Sequence, residues 1–307
     1  MSTIGFSRLG ILTTIGPCRH SHVQAAILGR SLLLRFPDVP RAVVGRMADI
    51  RGLDHHGWRL LPSDDPRLRS GFESKLYMNE HTPFEETLFL DSDMLLGCDA
   101  EGSLHDFLGP LMACAAPVAH YANWRGPGES FQGTPITPLQ VRAGIRGLYG
   151  NEAGGHYFWR KGAEADAVFA LARKITAEKW PEIVRFNEAL SGVARTSDEV
   201  AIAIAQALLV PDSPLPKGDA ITTSYEIARY PRATFVHFLA DLNPWLYHRM
   251  AAEVLGGHAL PARATCRYVG KTIRRGVMRL VRGGWSLGHL RRLLTVDGHT
   301  GKTEQSG

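Results

Sequence analysis

The chain has 307 residues, 44% hydrophobic and 21% charged, a globular balance that excludes a disordered or fibrous protein and allows one large α/β domain or two small ones. Its net charge of +5 is uneven: nine arginine and lysine residues and no acidic residue lie between Pro261 and Thr295, so the rest of the chain is net acidic. No window reaches the roughly 20 apolar residues of a membrane span. Cys18, Cys98, Cys114 and Cys266 form no C-x-x-C pair and the amino terminus lacks a secretory pattern, so a cytoplasmic protein with reduced thiols is expected.

In chain order, Leu9–Ile15 ("LGILTTI") reads as a buried first strand, Val23–Arg35 has helical apolar spacing, and "RAVVGRM" reads as a second strand. A β-α-β opening implies a parallel sheet. "SGFESKLYMNEH" predicts a helix, with Ser70 as N-cap and Glu73 answering it three residues on, ended near Thr82-Pro83. Thr87–Leu90 predicts a strand that runs into Asp91-Ser92-Asp93, followed by a short helix over "DAEGSLHDFLGPLMA" and a strand over "AAPVAHY". The Gly- and Pro-rich stretch from Trp124 to Tyr149 reads as a long loop. An aromatic strand ("HYFWRKG"), two helices (Ala163–Lys179 and "SDEVAIAIAQALL") and a strand ending near His237 complete the main body, taken as residues 1–257. A basic amphipathic appendage is expected over 258–307.

Two aspartates one residue apart at the end of a strand sit at the rim where open α/β sheets bind ligands. Carboxylate oxygens suit Mg²⁺ or Mn²⁺, and such an ion can clamp a diphosphate leaving group. A turn with solvated aspartates fits the same short motif. A phosphatase-type nucleophilic aspartate fits poorly, because Met94 and Leu95 follow instead of Gly and Thr.

The segment "FESKLYMNEHTPFEETLFLDSDMLL" resembles the donor-binding region of nucleotide-sugar glycosyltransferases with the GT-A fold, in particular the retaining family of glycogenin and bacterial lipopolysaccharide galactosyl- and glucosyltransferases. "VHFLADLNPWLY" is similar to that family's strand ending in a metal-binding His, followed by Leu-Gly-x-x-Lys-Pro-Trp, with Ala240 in place of the Gly and Asn243 in place of the Lys. "NEAGGHYFWRKG" matches the sugar-contacting strand at Gly155, with Ala153 and Gly154 at its Asn and Ser, and "TSDEVAIAIAQAL" matches the Asp-Gln helix start with Asp198 and Glu199.

The resemblance covers roughly residues 8–248 and implies a single α/β, Rossmann-like GT-A domain with a mixed, mainly parallel sheet. It implies a hexosyltransferase-like enzyme that retains configuration and takes a nucleotide-diphosphate sugar, expected to be UDP-linked, with a glycan or lipid-linked acceptor. Asp91, Asp93 and His237 would hold Mn²⁺ or Mg²⁺. Thr13 and Thr14 would lie near the nucleotide, Lys75 and Asn243 by the phosphates, and Gly155 and Asp198 beside the transferred sugar. From spacing alone, Lys75 reads as a surface helix residue, Asp198 as a helix cap and His237 as a core histidine. Trp124 and Trp159 read as packing residues rather than sugar platforms.

The basic appendage suits an anionic membrane surface, placing the enzyme on the inner face of the cell membrane; nucleic acid is not expected as a partner, since the basicity is confined to that appendage. Two other classes remain: a binding or assembly protein of the same shape without turnover, and a nucleotidyltransferase, for which "TTIGPCRHS" is a poor phosphate loop.

Overall fold

The computed structural model describes residues 8–17, 19–69, 73–96, 104–131, 134–151, 155–183, 197–211, 213–217, 221–223, 234–238 and 251–252. Strands β1 (Leu9–Thr14), β2 (Arg41–Gly45), β3 (Arg59–Pro62) and β4 (Glu86–Leu90) are parallel neighbours in the order β3-β2-β1-β4. Two more strands, β6 (Val118–Ala119) and β11 (His156–Arg160), complete this sheet, β11 running antiparallel to both β4 and β6. The result is a mixed, mainly parallel α/β sheet of Rossmann type.

Both faces of the sheet are covered, which is why its strands read as apolar runs instead of alternating ones. Phe89, Tyr157 and Trp159 face helices α4 (Ala163–Ala177) and α5 (Asp198–Leu209). Leu88, Leu90 and Phe158 face α1 (Arg19–Arg35) and α2 (Leu104–Ala113). Helix α4 buries Ala165, Val168, Phe169, Ala172 and Ile175, the single stripe that a 3.6-residue period places on one side.

A second, small sheet positions the site. Strand β5 (Met94–Leu96) pairs antiparallel with β13 (Phe235–His237), which pairs parallel with β12 (Ile221–Thr223). Leu95, Val236 and Phe238 pack with Val23 and Ile27 of α1. The chain therefore leaves the main sheet at Leu90 and enters the small one at Met94, turning through Asp91–Asp93 between them.

Several expectations are corrected. The helix over 70–81 is a 3₁₀ segment, Glu73–Tyr77, running into the single turn Met78–His81, and Ser70 lies outside the described residues. The expected loop 124–149 is structured: β7 (Asn123–Arg125) pairs with β10 (Leu148–Gly150), β8 (Ser130–Phe131) pairs with β9 (Thr134–Pro135), and helix α3 spans Ile136–Ala143. Strand "AAPVAHY" shrinks to two residues, and β3 and β5 were not foreseen. No described helix is long and apolar enough to cross a membrane. The appendage 258–307 lies outside the described residues.

Helix α1 docks on Trp58, whose Nε1 donates to the Ala25 carbonyl at 2.7 Å. A Cβ on Gly29 would collide with that indole nitrogen and come within 2.7 Å of the His56 carbonyl oxygen. Alanine in a helix interior is ordinarily worth up to about 1 kcal/mol over glycine. At this position the sign is expected to reverse: Gly29→Ala should destabilise by about 1–3 kcal/mol, as overpacking does, read from urea unfolding midpoints at unchanged m.

Candidate active site

The site forms where β4 ends. The Asp91 N–H donates to the Gly155 carbonyl at 2.7 Å, continuing the β4–β11 ladder by one step, and the Met94 N–H closes a turn on the Asp91 carbonyl at 3.0 Å. These two bonds fix the backbone at both ends of Asp91-Ser92-Asp93. The antiparallel register of β5 and β13 sets His237 opposite Met94, and the Phe238 N–H donates to the Asp93 carbonyl at 3.0 Å. His237 is thus brought to the aspartates by sheet register, despite its distance from them along the chain.

The side chains converge. His237 Nε2 lies 3.2 Å from Asp93 Oδ1 and 3.7 Å from Asp91 Oδ2. One ligand atom from each of Asp91, Asp93 and His237 lies within 4.8 Å of the other two. With metal–oxygen bonds of about 2.0–2.2 Å, that spacing is one that a single divalent ion could span. Two carboxylates and one imidazole are ligands that a divalent cation accepts, and three protein ligands leave positions for others.

Gly155 roofs this cluster. Its φ of +74° lies in the left-handed region that glycine adopts without strain, and a Cβ there would come 3.2 Å from Asp91 Oδ2, His237 Cε1 and Met94 Sδ alike. The volume a side chain would take is left to the cluster.

Lys75 enters from the 3₁₀ segment before β4. Its Nζ donates to Asp91 Oδ2 at 2.7 Å and lies 3.3 Å from Asp198 Oδ2. Its side chain is 8% exposed, so the surface position suggested by spacing is wrong. Burial disfavours the ammonium, but Asp198, Asp91 and Glu199 outweigh it and hold the lysine charged, above its ordinary range.

Asp198 opens helix α5, whose N-cap is Ser197, with Oγ accepting from the Val200 N–H at 3.4 Å. Asp198 is not the cap that its position suggested; it is a buried member of the cluster. Burial pushes its carboxyl up, against the pull of Lys75. Burial, and then the charge of Asp198, pushes neighbouring Glu199 up to about 7.

Six expected site residues (Asp91, Asp93, His237, Gly155, Lys75 and Asp198) therefore meet in one place. Thr13 and Thr14 close β1, the strand beside β4. The Thr13 hydroxyl is buried without a hydrogen-bond partner, and the Thr14 hydroxyl donates to the Val44 carbonyl at 3.3 Å. Asn243 lies outside the described residues, as do Ala153, Gly154, Ala240, Pro244 and Trp245.

The aromatic strand β11 contributes more than the sequence suggested. His156, fully buried next to Gly155, accepts the Tyr121 N–H on Nε2 at 2.8 Å, which fixes that nitrogen as unprotonated. His120 packs edge-on to Tyr157 and is held neutral by burial, its pKa pulled down to about 4. The two rings also pack edge-on to each other, 6.5 Å between centroids. The only sequence signal for them was the strand's aromatic run.

No protein-family model matches the sequence, and no curated protein matches it. Solved structures do. The galactosyltransferase LgtC, in complex with donor and acceptor sugar analogues, superposes with a TM-score of 0.52 at 13% identity, over 83% of this chain and 99% of its own. The bifunctional glycosyltransferase WbbM, in its apo form, superposes with a TM-score of 0.52 at 11% identity, over 87% of this chain and 53% of its own. At such identities the likeness is one of architecture, and that architecture is the GT-A glycosyltransferase fold.

Two outcomes follow from this geometry. Gly155→Ala is expected to lower stability by about 1–3 kcal/mol through backbone strain and to weaken Mn²⁺ binding, because the added methyl crowds Asp91 and His237; thermal melts with EDTA and with Mn²⁺ separate the two effects. For Glu199, a carboxyl raised in the folded state to about 7 from 4.5 means that the native protein holds a proton the unfolded chain releases. Stability of the metal-free protein should then fall between about pH 4.5 and 7 on this account. Glu199→Gln should flatten the fall, so that the variant matches wild type near pH 4.5 and exceeds it above pH 7 in chemical denaturation.

Proposed function

We propose that the protein is a glycosyltransferase that holds a nucleoside-diphosphate sugar, UDP-linked, with Mn²⁺ or Mg²⁺ at Asp91, Asp93 and His237. It would pass the sugar to a glycan or lipid-linked acceptor with retention of configuration. The observation that carries this is the convergence of those three side chains, with Lys75 beside them, at the carboxyl rim of a GT-A sheet. When bound, the cation supplies charge neutralisation for a diphosphate leaving group.

The chain's own groups do the rest. Lys75 is a fixed positive charge at the cluster, kept there by Asp91 and Asp198, and favours an anionic group arriving beside it. Gly155 gives a donor close access past the backbone. Asp198 and Glu199 present carboxylates at the start of α5, beside which the sugar would lie. Retention rests on the likeness of "TSDEVAIAIAQAL" and "NEAGGHYFWRKG" to the retaining family, and the nucleotide on the position of Thr13 and Thr14 at the end of β1. The basic composition of 258–307 supports peripheral attachment to an anionic membrane surface on the cytoplasmic side.

Asn243, standing where the resembling family has a lysine, favours one second reading: a protein of this shape that binds the donor without turnover. Asparagine can hydrogen-bond a phosphate but adds no charge. Release of UDP from UDP-sugars in the presence of Mn²⁺ separates the two, and release of pyrophosphate instead would identify a nucleotidyltransferase.

The direct test is calorimetric titration of UDP with and without Mn²⁺. Asp93→Asn keeps the shape and removes a ligand charge, so it should weaken Mn²⁺-dependent UDP affinity by about tenfold or more, with an unchanged circular dichroism spectrum. His237→Ala should lose less, since water can take the vacated position. Equal affinity in Asp93→Asn and wild type would show that the aspartates do not hold a cation.

A further inference from the structure

Strands β7 and β10 form a two-stranded ladder outside the main sheet, in which Trp124 is paired with Tyr149. Expected to be a packing residue, Trp124 is instead 45% exposed; Trp159, by contrast, is buried. The exposed indole is also fixed. Tyr149 meets it edge-to-face at 5.0 Å between centroids. Its six-membered ring lies against the backbone of Gly147, where a Cβ would come within 2.5 Å of Trp124 Cζ2. A large aromatic surface held rigid and left open to water is unusual in a chain that buries Trp58 and Trp159 almost completely.

The same place holds an unanswered polar atom. Trp124, Tyr149 and Gln206 line one narrow cleft between the ladder and the carboxyl-terminal part of α5. Gln206 is 6% exposed, and its Oε1 is buried with no hydrogen-bond partner. A buried acceptor of this kind costs about 1–3 kcal/mol until a donor reaches it. The enclosed part of the cleft has room for a single water-sized group, which a hydroxyl fits.

We propose that the Trp124–Tyr149 ladder is a carbohydrate-binding subsite, in which a hexopyranose ring stacks its C–H face on the Trp124 indole and donates one hydroxyl to Gln206 Oε1. A ring with apolar C–H faces and a rim of hydroxyls matches a fixed indole beside a buried amide oxygen better than a purely apolar or a charged group does. The location gives the subsite a purpose. Gln206 lies eight residues along α5 from Asp198, about 12 Å at 1.5 Å per residue. Strand β10 ends at Gly150, five positions before Gly155 in the sequence. The subsite therefore holds a sugar unit of the acceptor that is remote from the unit being modified. That acceptor role rests on the glycosyltransferase reading; the saccharide binding itself does not.

The test uses the full chain without Mn²⁺ or nucleotide. Saturation-transfer NMR is recorded with the methyl α- and β-glycosides of glucose and galactose at millimolar concentration. At least one probe should give a signal with wild type that falls about fivefold or more in Trp124→Ala, is largely restored in Trp124→Phe, and is reduced in Gln206→Leu. UDP–Mn²⁺ affinity should stay unchanged in all three variants, which also reports that they are folded. No signal with wild type for any probe, or an equal signal in wild type and Trp124→Ala, overturns the proposal. A protein that binds saccharides through Trp124 but fails to bind UDP–Mn²⁺ overturns the transferase reading and leaves the subsite standing.

Discussion

One buried ammonium group is shared between carboxylates. Lys75 contacts both Asp91 and Asp198, and Asp93, Glu199 and His237 lie in the same cluster. Inside a protein, repulsion between such carboxylates is weakly screened, and an uncompensated buried charge costs several kcal/mol. Burial raises the carboxyls of Asp198 and Glu199, neighbouring negative charges add to it, and Lys75 opposes it. Among the described residues, Asp91, Asp93 and His237 form the group that could hold a metal ion beside this lysine.

The fold exists around this cluster in a specific way. A single continuous sheet would carry β4 straight past its last residue. Here the chain breaks out of the six-stranded sheet at Asp91 and re-pairs at Met94 in a sheet of three strands. The turn between them is pinned on one side by Gly155 and on the other by Phe238, each through a backbone bond. Polar side chains that would be costly within either sheet fall at the seam, where both ladders end. The core on each side, Phe89 with Tyr157 and Leu90 with Phe158, holds the seam at fixed width.

Much of this was legible in the sequence, for reasons that differ by element. The apolar runs of β1, β2 and β4 are buried on both faces and so are unambiguous, and the Asp-Ser-Asp step is conspicuous because it interrupts one of them. His237 was found only through resemblance, since a lone histidine after two apolar residues carries no pattern. Lys75 was misread from spacing because a buried lysine depends on carboxylates brought to it by distant segments, and nothing local announces them. The ladder β7–β10 looked like a loop because its strands have three residues each, too few for an alternation to show, and because glycine and proline there serve close backbone approach, as Gly147 does beneath Trp124. Strand β5 was hidden for the same reason of length.

The unequal positions of the two aspartates follow from the lysine. Asp91 Oδ2 already accepts from Lys75 at 2.7 Å, and the same oxygen is the one nearest His237, 3.7 Å away. A cation drawn to that oxygen shares it with an ammonium, which lowers its donor strength. Asp93 Oδ1 sits closer to His237, at 3.2 Å, while the short contacts of the lysine go to Asp91 and Asp198. For a bound cation, Asp93 and His237 would make the firmer half of the site, and Asp91 would couple it to Lys75 and, through Lys75, to Asp198 at the start of α5. A cation bound there would therefore be felt at Asp198 without a moving segment: the path is one shared oxygen and one ammonium. This coupling needs Lys75 to stay charged when buried, and the charges of Asp198, Asp91 and Glu199 keep it so against the cost of burial.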